Sequence, residues 1–227
     1  VLLILIALAG LAIPYVGGTS QMALCQATDA SMHAIKTAIM GGGANTGFYM
    51  DTLGSFPKKT KGPTPADYSL HFLFTRTDSE WNDYNPKTAV GWRGPYLMQG
   101  RSLDATVLNA LDASFDDASK VHTKNKKYDG VDADTTETVT EAEKLFHVMD
   151  TWNRPIIIQV PLSCAYSTNP NGCARLVSAG PGNGITASDA SINATIGSSD
   201  ASDRGDDRVL FLKIADPYPE GNRPCDE

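Results

Sequence analysis

Histidine, cysteine, carboxylate and glycine-rich segments supply most of the chemistry a chain can do, and their spacing limits what this one can do. The four histidines, His33, His71, His122 and His147, show no H-E-x-x-H or H-x-H spacing that would bring two imidazoles to one metal. Gly180-Pro181-Gly182-Asn183-Gly184 follows an expected strand, as a nucleotide-binding loop would. It lacks the third glycine at G-x-G-x-x-G spacing, and fewer than 50 residues follow it, so a turn is the better reading. The acidic stretch from Asp132 to Glu137 has no glycine where an EF-hand loop requires one. No G-x-S-x-G elbow occurs, and no cysteine stands in a motif that marks a nucleophile. Nothing in these patterns demands an enzyme.

The four cysteines are Cys25, Cys164, Cys173 and Cys225, and no C-x-x-C pair is present, which gives zinc ribbons and thioredoxin-like motifs no support. Cys164 and Cys173 bracket a turn-rich stretch that could close on a short disulfide. That would leave Cys25 and Cys225 for each other or for another copy of the chain. Four cysteines allow three pairings, and spacing does not choose among them. Formal charge is -7 over 227 residues, with 19 basic and 26 acidic side chains, so there is no basic surplus to neutralise nucleic-acid phosphates. An acidic balance favours solubility and suits divalent cations where carboxylates converge.

The elements that must position these residues begin with a hydrophobic run. Val1 to Ile13 is apolar or glycine throughout and is followed by Pro14. A membrane span needs about 20 apolar residues, so the sequence is expected to begin inside a hydrophobic segment. Leu24, Thr28, Met32, Ile35 and Ile39 then fall three and four apart, the spacing of one helical face, with Gln21, Gln26, Asp29, Ser31 and Lys36 on the polar side. Gly41-Gly42-Gly43 ends the pattern. A helix from Val1 to about Met40 would be roughly 60 Å long, with Pro14 able to kink or loosen it. Such a hydrophobic start argues for export, and so for disulfides.

Strands are expected at Ile156–Val160, bounded by Pro155 and Pro161, at Arg175–Ser178 and at Arg208–Lys213. Three antiparallel strands against one amphipathic helix make an α+β domain. Between residues 98 and 146, Leu103, Val107, Leu108 and Leu111 are spaced as a short helix, and Glu141 to Met149 looks like another, with a polar loop between them. Residues 183–204, rich in Ser, Ala, Asp and Gly, read as a surface loop. The domain division is therefore residues 1–43 as N-terminal helix and 44–227 as head, with insertions at about 98–146 and 183–204.

Six short segments in order carry a family resemblance: Leu53-Gly54-Ser55-Phe56-Pro57, Tyr68 to Phe74, Trp92-Arg93-Gly94-Pro95-Tyr96-Leu97, Asp150-Thr151-Trp152-Asn153-Arg154-Pro155, Ala174 to Pro181, and Gly205-Asp206-Asp207-Arg208-Val209. Together with the apolar run and its proline, they resemble type IV pilin-like proteins, closest to the major pseudopilins of type II secretion. The resemblance implies a long N-terminal helix packed on a small antiparallel sheet. It also implies a structural subunit that polymerises with copies of itself through Leu2, Leu3, Leu5, Ile6, Leu8, Leu11, Ile13 and Pro14. Before assembly the same segment would sit in a bacterial inner membrane and meet the assembly machinery; afterwards the subunit would belong to a cell-envelope or extracellular filament. No nucleic acid is expected.

The family commonly binds calcium before its last strand, which implies a site at Asp206 and Asp207 with Asp203 and Asn183 nearby. The chain has Pro181-Gly182-Asn183 where the family places an aspartate, so one carboxylate is replaced by an amide oxygen, and a solvated acidic loop is the alternative. The alternative for the whole chain is a membrane-anchored extracytoplasmic binding or enzymatic domain.

Overall fold

The computed structural model describes residues 2–43, 46–57, 68–76, 82–103, 145–160, 170–178, 180 and 208–216, with backbone alone for residues 2–20, 103, 145, 159, 170 and 171. A single helix, α1 (Leu2–Met40), runs through Pro14 without interruption. Its second half is amphipathic: Cys25, Thr28, Met32, Ile35 and Ile39 are buried, each three or four residues from the next. Cys25 takes the place on this stripe expected for Leu24, which is only half-buried. The helix ends because Gly41 turns to φ 86°, a conformation glycine adopts without Cβ strain, and its N–H donates to the Thr37 carbonyl at 2.8 Å. The chain then doubles back so tightly that a Cβ on Gly47 would lie 2.2 Å from the Gly41 nitrogen. This closeness seats the short helix α2 (Phe48–Asp51) against the end of α1.

Among the described residues five strands follow in two antiparallel sheets. Strand β1 (Arg101–Leu103) pairs with β2 (Leu145–His147), Ser102 opposite Phe146. Strands β3 (Ile157–Gln159), β4 (Arg175–Ser178) and β5 (Arg208–Phe211) form the second sheet in that order. Ile158 faces Leu176, which faces Leu210, and the Leu212 N–H extends the ladder to the Ala174 carbonyl at 2.9 Å. Every residue of β4 is buried, as expected for a central strand covered on both faces. The chain is therefore α+β, with small antiparallel sheets.

One core joins helix to sheet. Met32, Ile35 and Ile39 from α1 meet Phe48, Phe56, Leu70, Leu73, Ile156, Ile158, Leu176 and Leu212. At roughly 1.5–3 kcal/mol for each fully buried large side chain, this cluster is the main force holding the second half of α1 in place.

Two expectations are corrected. Leu103 ends a strand rather than starting a helix, and Leu145–His147 is a strand where the spacing predicts a helix from Glu141 to Met149. The reason lies in long-range contacts. The Phe146 ring stacks on His71 at 5.8 Å, and the Phe146 N–H donates to His71 Nδ1 at 3.0 Å, which ties up a backbone donor a helix would need for itself. Residues 104–144, where Val107, Leu108 and Leu111 lie, are outside the described residues.

Candidate functional site

Polar contacts join α1 to β5 and to the loop before β3. Asp29 on the helix accepts from Arg208 Nε at 3.0 Å and also from Arg208 Nη2, so the first residue of β5 is clamped in two-pronged fashion to a helix 179 residues earlier. Two helical turns on, the Lys36 ammonium donates to the Phe211 carbonyl at 2.7 Å. Burial lowers the Lys36 pKa below its ordinary value.

A second grip comes from the loop between β2 and β3. Residues 150–154 form a tight reversal in which the Asp150 N–H donates to the Arg154 carbonyl at 2.7 Å and Asn153 sits at φ 62°. The Asp150 side chain holds the turn from within. Its Oδ1 accepts from the N–H groups of Trp152 at 2.9 Å and Arg154 at 2.8 Å, and its Oδ2 accepts from Ser178 Oγ at 2.7 Å. Arg154 Nη1 reaches on to the Gly180 carbonyl at 2.8 Å. Desolvation raises the Asp150 pKa, and these hydrogen bonds oppose the rise. Thr151 touches the helix: its hydroxyl donates to the Leu24 carbonyl at 2.9 Å, and its N–H donates to Thr28 Oγ1 at 3.2 Å.

A third cluster fixes the aromatic corner. Asp51 is buried and accepts from the Tyr96 hydroxyl at 2.9 Å, with Arg93 Nη2 3.2 Å away. Tyr96 packs edge-on against Phe48 and Trp92, and Trp92 Nε1 donates to the Phe72 carbonyl at 3.3 Å. Burial and the neighbouring Asp51 carboxylate together push the Tyr96 phenol well above its ordinary pKa. Between Trp92 and Tyr96 the Gly94-Pro95 peptide bond is cis.

Among the described histidines, His71 and His147 are neighbours and His33 stands apart. His33 is exposed on α1, and His122 lies outside the described residues. His71 accepts from Phe146 at Nδ1, so its proton sits on Nε2, 3.0 Å from Thr75 Oγ1. His147 is buried, and desolvation followed by its neighbour His71 lowers its pKa to about 4. Among the described residues no group of three His, Cys, Asp or Glu side chains could hold a metal. The calcium expectation concerns Asp203, Asp206, Asp207 and Asn183, all outside the described residues.

Among the described residues no cysteine is free: Cys25 and Cys173 are both disulfide-bonded, and Cys164 and Cys225 lie outside the described residues. Leu2, Leu3, Leu5, Ile6, Leu8, Leu11, Ile13 and Pro14 fall in the backbone of α1, their side chains outside description. Among the described residues no helix is long and apolar enough to cross a membrane. The contacts that the sequence did not reveal are those from Asp29 and Lys36 to β5. Both residues read simply as members of a polar helix face, and their partners lie more than 170 residues away.

No protein-family model matches the chain, and neither a curated protein nor a solved structure is detectably similar to it.

Proposed function

We propose that the chain is a structural subunit of a filament of the type IV pilus or type II secretion pseudopilus kind, polymerising through the first half of α1. The observation that carries this reading is a division within one helix. Residues from Gln21 to Met40 are bound into the head by a buried stripe and by hydrogen bonds from Asp29 and Lys36. In the same helix, Leu2 to Thr19 contains no charged residue. A helix that is amphipathic where it meets its own head and apolar all round before it calls for a second apolar partner along its first half. Copies of itself supply one: burying Leu2, Leu5, Ile6 and Leu8 against neighbours contributes roughly 1.5–3 kcal/mol per side chain before ordering costs. In this reading the pilin-like head packs outward, the apolar segment holds the subunit in the inner membrane before assembly, and Asp203, Asp206, Asp207 and Asn183 would bind a calcium ion. The subunit's role is architectural, not catalytic.

Ultracentrifugal pelleting tests this. The assembled wild-type chain should sediment as a high-mass polymer, and Leu5→Asp should remain in the supernatant with an unchanged head melting transition. Equal pelleting of both chains would overturn the helix-core reading.

A further inference from the structure

Between the second half of α1 and strand β5 lies a cavity of about 360 Å³. Its volume is in the range that receives small molecules. One wall is helical, with Asp29, Met32 and Lys36, and the other comes from Arg208, Phe211 and the Ile214–Ala215 segment that follows. The wall chemistry is divided. Met32, Phe211 and Ile214 are apolar, whereas Lys36 and Arg208 bring two cations to the same space.

The two cations are unequally satisfied. Arg208 spends Nε and Nη2 on Asp29, but its buried Nη1 has no hydrogen-bond partner among the described residues. That nitrogen is enclosed by the protein, so the donor the cavity offers is Lys36 rather than Arg208. Lys36 has three N–H donors and places one on the Phe211 carbonyl; no carboxylate neutralises it among the described residues. Partial burial lowers its pKa. Asp29 is already committed to Arg208, and Asp216 also lines the cavity, so a ligand carrying more than one negative charge would be repelled.

We propose that this cavity binds a small amphipathic monoanion, a carboxylate with a short hydrocarbon tail. The carboxylate accepts from the free N–H groups of Lys36, and the tail lies on Met32, Phe211 and Ile214. The site is built by the head and the second half of α1 alone, so it stands or falls independently of polymerisation.

Saturation-transfer difference NMR on the full chain, observing the ligand, tests this in the assembled or the dispersed form. Hexanoate is the probe and hexanamide, with the same tail and no charge, its control. Saturable hexanoate binding is expected in roughly the millimolar range, with hexanamide about tenfold weaker, the effect of losing a charge-assisted hydrogen bond. Lys36→Gln should weaken hexanoate by a similar factor. Ala215→Trp, at an exposed position on the cavity wall, should abolish its binding by filling the space while leaving the core untouched. The absence of saturable hexanoate binding, or equal binding of hexanamide, would overturn the proposal, as would hexanoate binding unchanged in Ala215→Trp. Should Lys36→Gln fail to fold, the comparison of hexanoate with hexanamide on the wild-type chain and the Ala215→Trp result decide the matter.

Discussion

The hydroxyl oxygens of Thr28 and Thr151, 123 residues apart in the chain, lie 2.8 Å from each other. Thr28 accepts from the Thr151 N–H and donates to the Thr151 hydroxyl, which in turn donates to the Leu24 carbonyl. Two short polar side chains thereby lock the β2–β3 turn to the point on α1 where its hold on the head begins.

Thr28→Val keeps the shape of this junction and removes its hydrogen bonding. The Thr151 N–H is then left without an acceptor in a partly buried position, at a cost of about 1–3 kcal/mol. Urea denaturation should report that loss, and amide exchange should quicken around Leu24 more than around Ile39. Unchanged stability would mean that apolar packing alone seats the helix.

Asp150 should tolerate asparagine far better than alanine. Asp150→Asn retains a side-chain oxygen for the N–H groups of Trp152 and Arg154, whereas Asp150→Ala abandons both donors and Ser178, costing roughly 2–4 kcal/mol. Because the folded-state pKa of Asp150 is raised, its contribution to stability is fully present below the unfolded carboxylate pKa and declines as pH rises through the folded value. Asp150→Asn should remove that component of the pH profile. Equal losses in the alanine and asparagine variants, measured by equilibrium denaturation, would rule out the turn-holding role.

His147 acts in the opposite direction on the pH axis. Its folded pKa of about 4 lies below the ordinary value of 6.5, so the unfolded chain binds the proton first as pH falls. Stability from this group is complete above about pH 6.5 and is lost between there and about pH 4, amounting to roughly 3 kcal/mol if the whole shift is realised. His147→Gln should flatten the denaturation midpoint across that window, and a wild-type slope retained in the variant would assign the effect to other groups.

Tyr96→Phe removes the hydroxyl that caps buried Asp51 and leaves the aromatic packing on Phe48 and Trp92 in place. The loss of a hydrogen bond to a charged acceptor should cost about 1.5–3 kcal/mol. A double-mutant cycle with Asp51→Ala should recover most of it as coupling. Additive effects would show that the pair does not act together.

Much of the scaffold could be read from periodicity. The stripe at Thr28, Met32, Ile35 and Ile39 follows helical spacing, and the β-branched run at Ile156–Ile158 lies between prolines, so both elements announce themselves locally. The β1–β2 pair does not. Each strand is three residues long, and the two are separated by residues 104–144, so pairing depends on His71 accepting from Phe146 rather than on any local pattern. The clamp between Asp29 and Arg208 was hidden for the same reason: a charged residue on a polar helix face has no sequence mark that distinguishes a buried partner from solvent. The half-buried Leu24 shows the reverse error, an apolar residue that fits the stripe by type while Cys25 occupies it.

Negative-stain electron microscopy of the wild-type chain beside Ile6→Asp decides whether the first half of α1 drives polymerisation while the second half packs on the head. Uniform thin filaments from the wild type and dispersed, folded particles from Ile6→Asp are the expected result. Dispersed particles from both, or filaments from both, would contradict it.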